Sequence, residues 1–96
     1  AEVQAGAIIN TGAQIDHHCV IQECATIDPG AILAGNVTIG KCTRVHTAAV
    51  IKNKIRVGEN SIIGAGAVII RDVPDDVTVV GVPGKIIKQK GQQINT

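Results

Sequence analysis

Every sixth residue from Val3 onward is a branched aliphatic: Val3, Ile9, Ile15, Ile21, Ile27, Leu33, Ile39, Val45, Ile51, Val57, Ile63 and Ile69. Two positions before each rung the residues are mostly small, as at Ala7, Ala13, Cys19, Ala25, Ala31, Ala49, Ser61 and Ala67. One position after, Asn10, Asp16, Asp28, Gly40, Gly58 and Gly64 favour a turn. An unbroken period of six leaves few folds open. An α-helix needs a period of 3.6, and the interspersed glycines would each weaken it by up to about 1 kcal/mol. An alternating sheet needs a period of two, which six accommodates only if a corner intervenes. Each hexad is therefore a short strand and a turn.

Three hexads close a triangular coil of 18 residues, and stacking coils about 4.8 Å apart gives a parallel β-helix. The aliphatic rungs fill the prism and the small residues fit its corners. Four coils span residues 3 to about 71 without insertion. Pro74 and Pro83 cannot donate to a strand ladder and mark the end of the stack, with Val77–Val80 as one last strand. The division expected is a β-helix domain over residues 1–82 and a tail over 83–96, polar and frayed from Gln89.

Composition limits the function classes. The chain has 96 residues and no Phe, Trp, Tyr or Met, so a lone copy has a marginal core and self-association would stabilise it. A net charge of +1 gives no general case for nucleic acid or a membrane surface as partner. No apolar run approaches the ~20 residues of a membrane span. No signal peptide is visible, and an odd count of three cysteines points to a reducing cytoplasm. A first residue of Ala rather than Met suggests a processed chain or an excised piece.

Residues 18 apart stack, so the sequence can be read in columns. His17 lies over Gly35, Asn53 and Arg71, and His18 over Asn36, Lys54 and Asp72. Both histidines fall on a turn and point out of the prism. Imidazole titrates nearest neutral pH, Gly35 leaves space beside His17, and Asp16 and His18 flank it as possible orienters. Cys24 and Cys42 share a corner within disulfide reach, and reduced thiols are the expected state there. Cys19 is core filler, and His46 stacks over Asp28 as a surface contact.

The hexads resemble the left-handed β-helix of hexapeptide-repeat acyltransferases, and the hand is taken from that resemblance. NTGAQIDHHCVI, PGAILAGNVTIG and SIIGAGAVIIRDVPDDVTVVGVPGKII are similar to the bacterial sugar O-/N-acetyltransferases of the NeuD and PglD group, over about residues 6–88. The resemblance implies a homotrimer that binds acetyl-CoA in a groove between subunits and acetylates a sugar or nucleotide sugar, without a metal. It implies that His17 is the catalytic base. His18 stands where an acid often orients that base, a task that otherwise falls to Asp16. Backbone N–H groups of Gly64, Ala65, Gly66 and Gly81 would line the groove, with Lys85 or Lys88 on a CoA phosphate. Thr26 replaces a histidine that contacts the thioester carbonyl in some members. His46 replaces a glycine that admits CoA, and Gly84 replaces an alanine in the closing motif. Family members are about twice as long and carry an N-terminal nucleotide-sugar domain, so the expected chain is an excised catalytic half, a natural truncation or a stand-alone relative. Two other functions compete: a non-catalytic trimeric scaffold, and a metal hydratase like γ-class carbonic anhydrases, for which the chain lacks an H-x₄-H pair.

Overall fold

The computed structural model describes residues 1–89 and, as backbone, residues 92 and 93. Its strands, β1 to β15 in chain order, build a left-handed parallel β-helix of about four coils. Face one stacks β1 (Glu2–Val3), β4 (Val20–Ile21), β7 (Thr38–Ile39) and β10 (Arg56–Val57). Face two stacks β2 (Ile8–Ile9), β5 (Thr26–Ile27), β8 (Arg44–Val45) and β11 (Ile62–Ile63). It continues into β13 (Val77–Val80), β14 (Lys85–Gln89) and β15 (Gln92–Gln93). Face three stacks β3 (Gln14–Ile15), β6 (Ile32–Leu33), β9 (Val50–Ile51) and β12 (Val68–Ile69). Register between coils is 18 residues throughout, as in Ile9 against Ile27 and Leu33 against Ile51.

The rungs behave as their period requires. Ile21, Ile27, Leu33, Ile39, Val45, Ile51 and Ile63 have no exposed surface. Val3 and Ile9 remain 48% and 38% exposed, because no coil lies above the first. The small inward residues are buried with them, and Thr43 and Ser61 hide their hydroxyls by hydrogen bonding to the carbonyls of Gly58 and Pro74.

At each corner the second turn residue adopts a left-handed conformation, from Gly6 (φ 73) to Gly66 (φ 69). Non-glycine residues accept this strain at His18 (φ 58), Cys24 (φ 66), Asn36 (φ 61), Cys42 (φ 55), Ala48 (φ 61), Lys54 (φ 64) and Asn60 (φ 53). The coil-to-coil ladder holds them, as in Asn36 N–H to His17 O at 2.9 Å and Lys54 N–H to Gly35 O at 2.9 Å.

Two expectations are corrected. Cys24 and Cys42 form a disulfide rather than a pair of thiols, their Cα atoms being stacked 4.4 Å apart on the corner between faces one and two. That bond is at odds with the reducing cytoplasm read from the cysteine count. Cross-linking a loop of this length stabilises by roughly 3 kcal/mol. Dithiothreitol is expected to lower the melting temperature of the wild type but not of a Cys24→Ser/Cys42→Ser variant. Equal melting with and without reductant would count against the bond. Second, Gln89 belongs to β14, which returns antiparallel along β13 with Lys88 opposite Thr78. The rest of the expected frayed tail, residues 90, 91 and 94–96, lies outside the described residues.

Candidate active site

The turn from face three to face one carries His17 and His18. Asp16 ends the rung, and its carboxylate accepts a hydrogen bond from the His17 backbone N–H at 2.7 Å. Asp16 therefore shapes the turn and does not orient the imidazole. That task goes to His18: its left-handed φ turns its ring toward its neighbour, and the two Nδ1 atoms lie 3.0 Å apart. The rings meet edge-to-face, with centroids 5.2 Å apart.

Gly35 is not open space. A Cβ there would fall 2.6 Å from His17 Cε1 and 2.7 Å from Nε2, so the imidazole lies directly on the glycine. With Nδ1 turned to His18, Nε2 is the nitrogen left for chemistry. Both rings border a shallow depression with Ala1, Glu2, Cys19 and Val20. Cys19 itself is buried, with Sγ 3.1 Å from Ala34 O.

Below the histidines, the same corner turns basic. Lys52, Lys54 and Arg71 are exposed there, and Arg56 stands beside them on face one. The one acid among them, Asp72, accepts from the Arg56 backbone N–H at 2.9 Å. A half-open cavity of about 390 Å³ follows, lined by Ile69, Ile70, Arg71, Pro83, Gly84, Lys85 and others. Lys85 reaches that cavity, and Lys88, further along β14, does not line it.

The other expected site residues lie elsewhere. Thr26, Asp28, His46 and Gly64 belong to face two, and Ala65 and Gly66 to the corner between faces two and three. His46 Nδ1 is 3.2 Å from Asp28 Oδ2, which also meets Arg44 Nε at 3.3 Å. Asn10 Nδ2 donates to Asp28 Oδ1 at 3.4 Å. Asp28 is almost wholly buried, and its carboxylate holds the His46 ring as no carboxylate holds His17. The N–H groups of Gly64 and Gly66 are not free to line a groove: they donate to Val79 O at 2.8 Å and Thr47 O at 2.9 Å. Val80 Cγ1 also covers Gly64, 2.8 Å from where a Cβ would stand, whereas the Cβ position of Gly66 is open. Gly81 carries φ 94, and its carbonyl accepts from Val68 N–H at 3.0 Å. Sequence reasoning missed the basic run down the histidine corner, though the column spacing contained it.

Among the described residues no three His, Cys, Asp or Glu side chains gather as a metal site requires. No helix there is long and apolar enough to cross a membrane.

The structure is thus a left-handed hexapeptide β-helix with an exposed imidazole on one corner. No family model matches the chain. Among solved structures it is similar to a mutant perosamine N-acetyltransferase from Caulobacter crescentus in complex with CoA and GDP-perosamine. That match has 38% identity and a TM-score of 0.85, over 86% of this chain and 40% of that one. It is also similar to the acetyltransferase domain of PglB from Neisseria gonorrhoeae FA1090 in complex with acetyl coenzyme A. Here identity is 38% and the TM-score 0.79, over 88% of this chain and 47% of that one. A serine acetyltransferase of Bacillus pumilus is 56% identical over 32 residues, 33% of this chain and 15% of its own length. The chain thus spans less than half the length of each of these three proteins. Over 86–88% of its own length the chain is similar to acetyltransferases.

Proposed function

We propose that the chain is the β-helix portion of an acetyl-CoA-dependent acetyltransferase that acts as a homotrimer on an amino sugar or its nucleotide-linked form. The observation that carries this reading is the His17 imidazole, seated on Gly35 with Nδ1 engaged by His18 and Nε2 left unengaged. Nε2 accepts the proton of the acceptor amine or hydroxyl as that group attacks the thioester carbonyl. The tetrahedral adduct collapses with cleavage of the carbon–sulfur bond, and the imidazolium returns the proton to the departing thiolate. The products are the acetylated acceptor and CoA. Similarity to a perosamine N-acetyltransferase over 86% of the chain favours an amino sugar over serine, which is supported by a 32-residue match.

The corner below His17 suits the co-substrate. Arg71 stacks three coils beneath His17, about 14 Å at the usual strand spacing. An extended pantetheine arm is roughly 15 Å long by ordinary bond lengths. A thioester at His17 thus sets the diphosphate among Lys52, Lys54 and Arg71, with the apolar cavity at Gly84 and Lys85 next along. Charge reversal at Lys54 and Arg71 is expected to weaken acetyl-CoA binding about tenfold or more, since charged contacts each contribute about 1.5–3 kcal/mol at most. Turnover of acetyl-pantetheine should be unchanged. Equal losses with both donors would reject this path.

Face three supports the trimer. Its outward residues Gln14, Ile32, Val50 and Val68 form one stacked column, apolar below Gln14, and Ile32 and Ile70 are 39% and 46% exposed in that region. This face separates the histidine corner from face two. A three-fold ring closed over it sets His17 of each subunit against Thr26 and His46 of the next. The test is release of CoA thiol from acetyl-CoA with a panel of amino sugars. Saturable CoA binding without acetylation of any acceptor would favour the scaffold reading instead.

A further inference from the structure

We propose that His18 selects the tautomer of His17, so that the basic nitrogen exists only while His18 holds its own proton on Nε2. The inference rests on reading His17 as the base, and deepens it. Two Nδ1 atoms 3.0 Å apart share one proton: one ring presents N–H and the other its lone pair. In the first arrangement His17 Nδ1–H donates to His18 Nδ1, the His18 proton sits on Nε2, and His17 Nε2 keeps its lone pair. In the second, His18 Nδ1–H donates to His17 Nδ1, the His17 proton sits on Nε2, and no lone pair remains where the acceptor arrives. A carboxylate at this position only accepts and admits the first arrangement alone. An imidazole admits both.

One further proton silences the pair wherever it binds. On His18 it makes Nδ1 a permanent donor, and on His17 it occupies Nε2 itself. The charged groups around the rings do not choose between the two arrangements. Asp16 is bound to the His17 backbone N–H, and Glu2 accepts from Gln4 Nε2 at 2.7 Å. Glu2 and the Ala1 amine border the same depression, and among the described residues no carboxylate lies within 4.0 Å of either ring. His18 Nε2 is therefore the control point, and a hydrogen-bond acceptor on the bound substrate that meets it holds His17 in its basic form.

The test compares His18→Asp, an acceptor only, with His18→Lys, a donor only. Both suit the left-handed turn, since Asp76 (φ 60) and Lys54 (φ 64) adopt the same conformation in this chain. In nitrogen-15 spectra the wild-type His17 nitrogens are expected to show exchange between N–H and lone-pair forms. His18→Asp should give the Nδ1–H form alone and up to about a twofold gain in kcat. His18→Lys should give the Nε2–H form and lose about 10²-fold or more, at unchanged KM for acetyl-CoA, as a wrong tautomer costs in catalytic triads. A His17 tautomer that is single in the wild type and unmoved by either substitution would overturn the proposal, as would equal activity of the two variants. Tautomer responses without turnover in any of the three proteins would instead remove His17 as base and leave the coupling intact.

Discussion

His17→Ala is expected to lower kcat by about 10²–10⁴-fold, the usual worth of a positioned general base, with the affinity for acetyl-CoA and the melting temperature unchanged. His17 is exposed and its side chain fills no core, so its loss leaves the ladder intact. Gly35→Ala is the companion substitution. The Cβ position is 2.6 Å from the imidazole and is blocked by that side chain alone, so the fold survives and the ring is displaced. A shift on the order of 1 Å at a reacting group can cost about 10²-fold. Measured with saturating acetyl-CoA, both variants should bind the donor and fail to consume it. Turnover in His17→Ala within about threefold of the wild type, well below a general base's contribution, would remove His17 from the chemistry.

Gly40→Ala should damage the fold instead. A Cβ at Gly40 would fall on the Gly58 carbonyl and 2.7 Å from Glu59 N, backbone atoms that cannot turn aside. Relief requires prying two coils apart at the corner between faces one and two. Overpacking of this kind costs about 1–3 kcal/mol or more. At about 4–8 °C per kcal/mol for a domain of this size, melting should fall visibly. Gly66→Ala is the comparison: its Cβ position is open, so it bears only the left-handed strain that Ala48 already accepts, and it should melt above Gly40→Ala. A Gly40→Ala protein that melts with Gly66→Ala would mean that the coils are looser at that corner than the structure has them.

The two glycines show how far a sequence could be read here. Gly40 directly follows its rung and Gly66 stands three residues after its own, and periodicity assigns each to a turn without saying what its Cβ would meet. Column arithmetic placed His17 over Gly35, yet suggested space where the ring itself lies. The same arithmetic brought Cys24 to Cys42 and His46 to Asp28, because contacts between stacked residues follow from register. It failed for Asp16, Gly64 and Gly66, whose roles depend on which backbone group each donor or acceptor meets. Asp16 turned to the N–H of its own neighbour, and the glycine N–H groups were consumed by carbonyls of the coils on either side.

What the sequence by itself determined is the prism: a period of six permits one strand and one turn per hexad, and 18-residue register then stacks every column. What only the tertiary structure decided is how side chains at the corners face one another. The left-handed φ of His18 brings two adjacent imidazoles Nδ1 to Nδ1, a matter of turn torsion and rotamer that no periodicity contains. The structure also put His17 at one edge of face three and His46 with Thr26 beyond the other. One prism is too thick and too well filled with aliphatic rungs to join them, so a site that used both groups would need a second subunit.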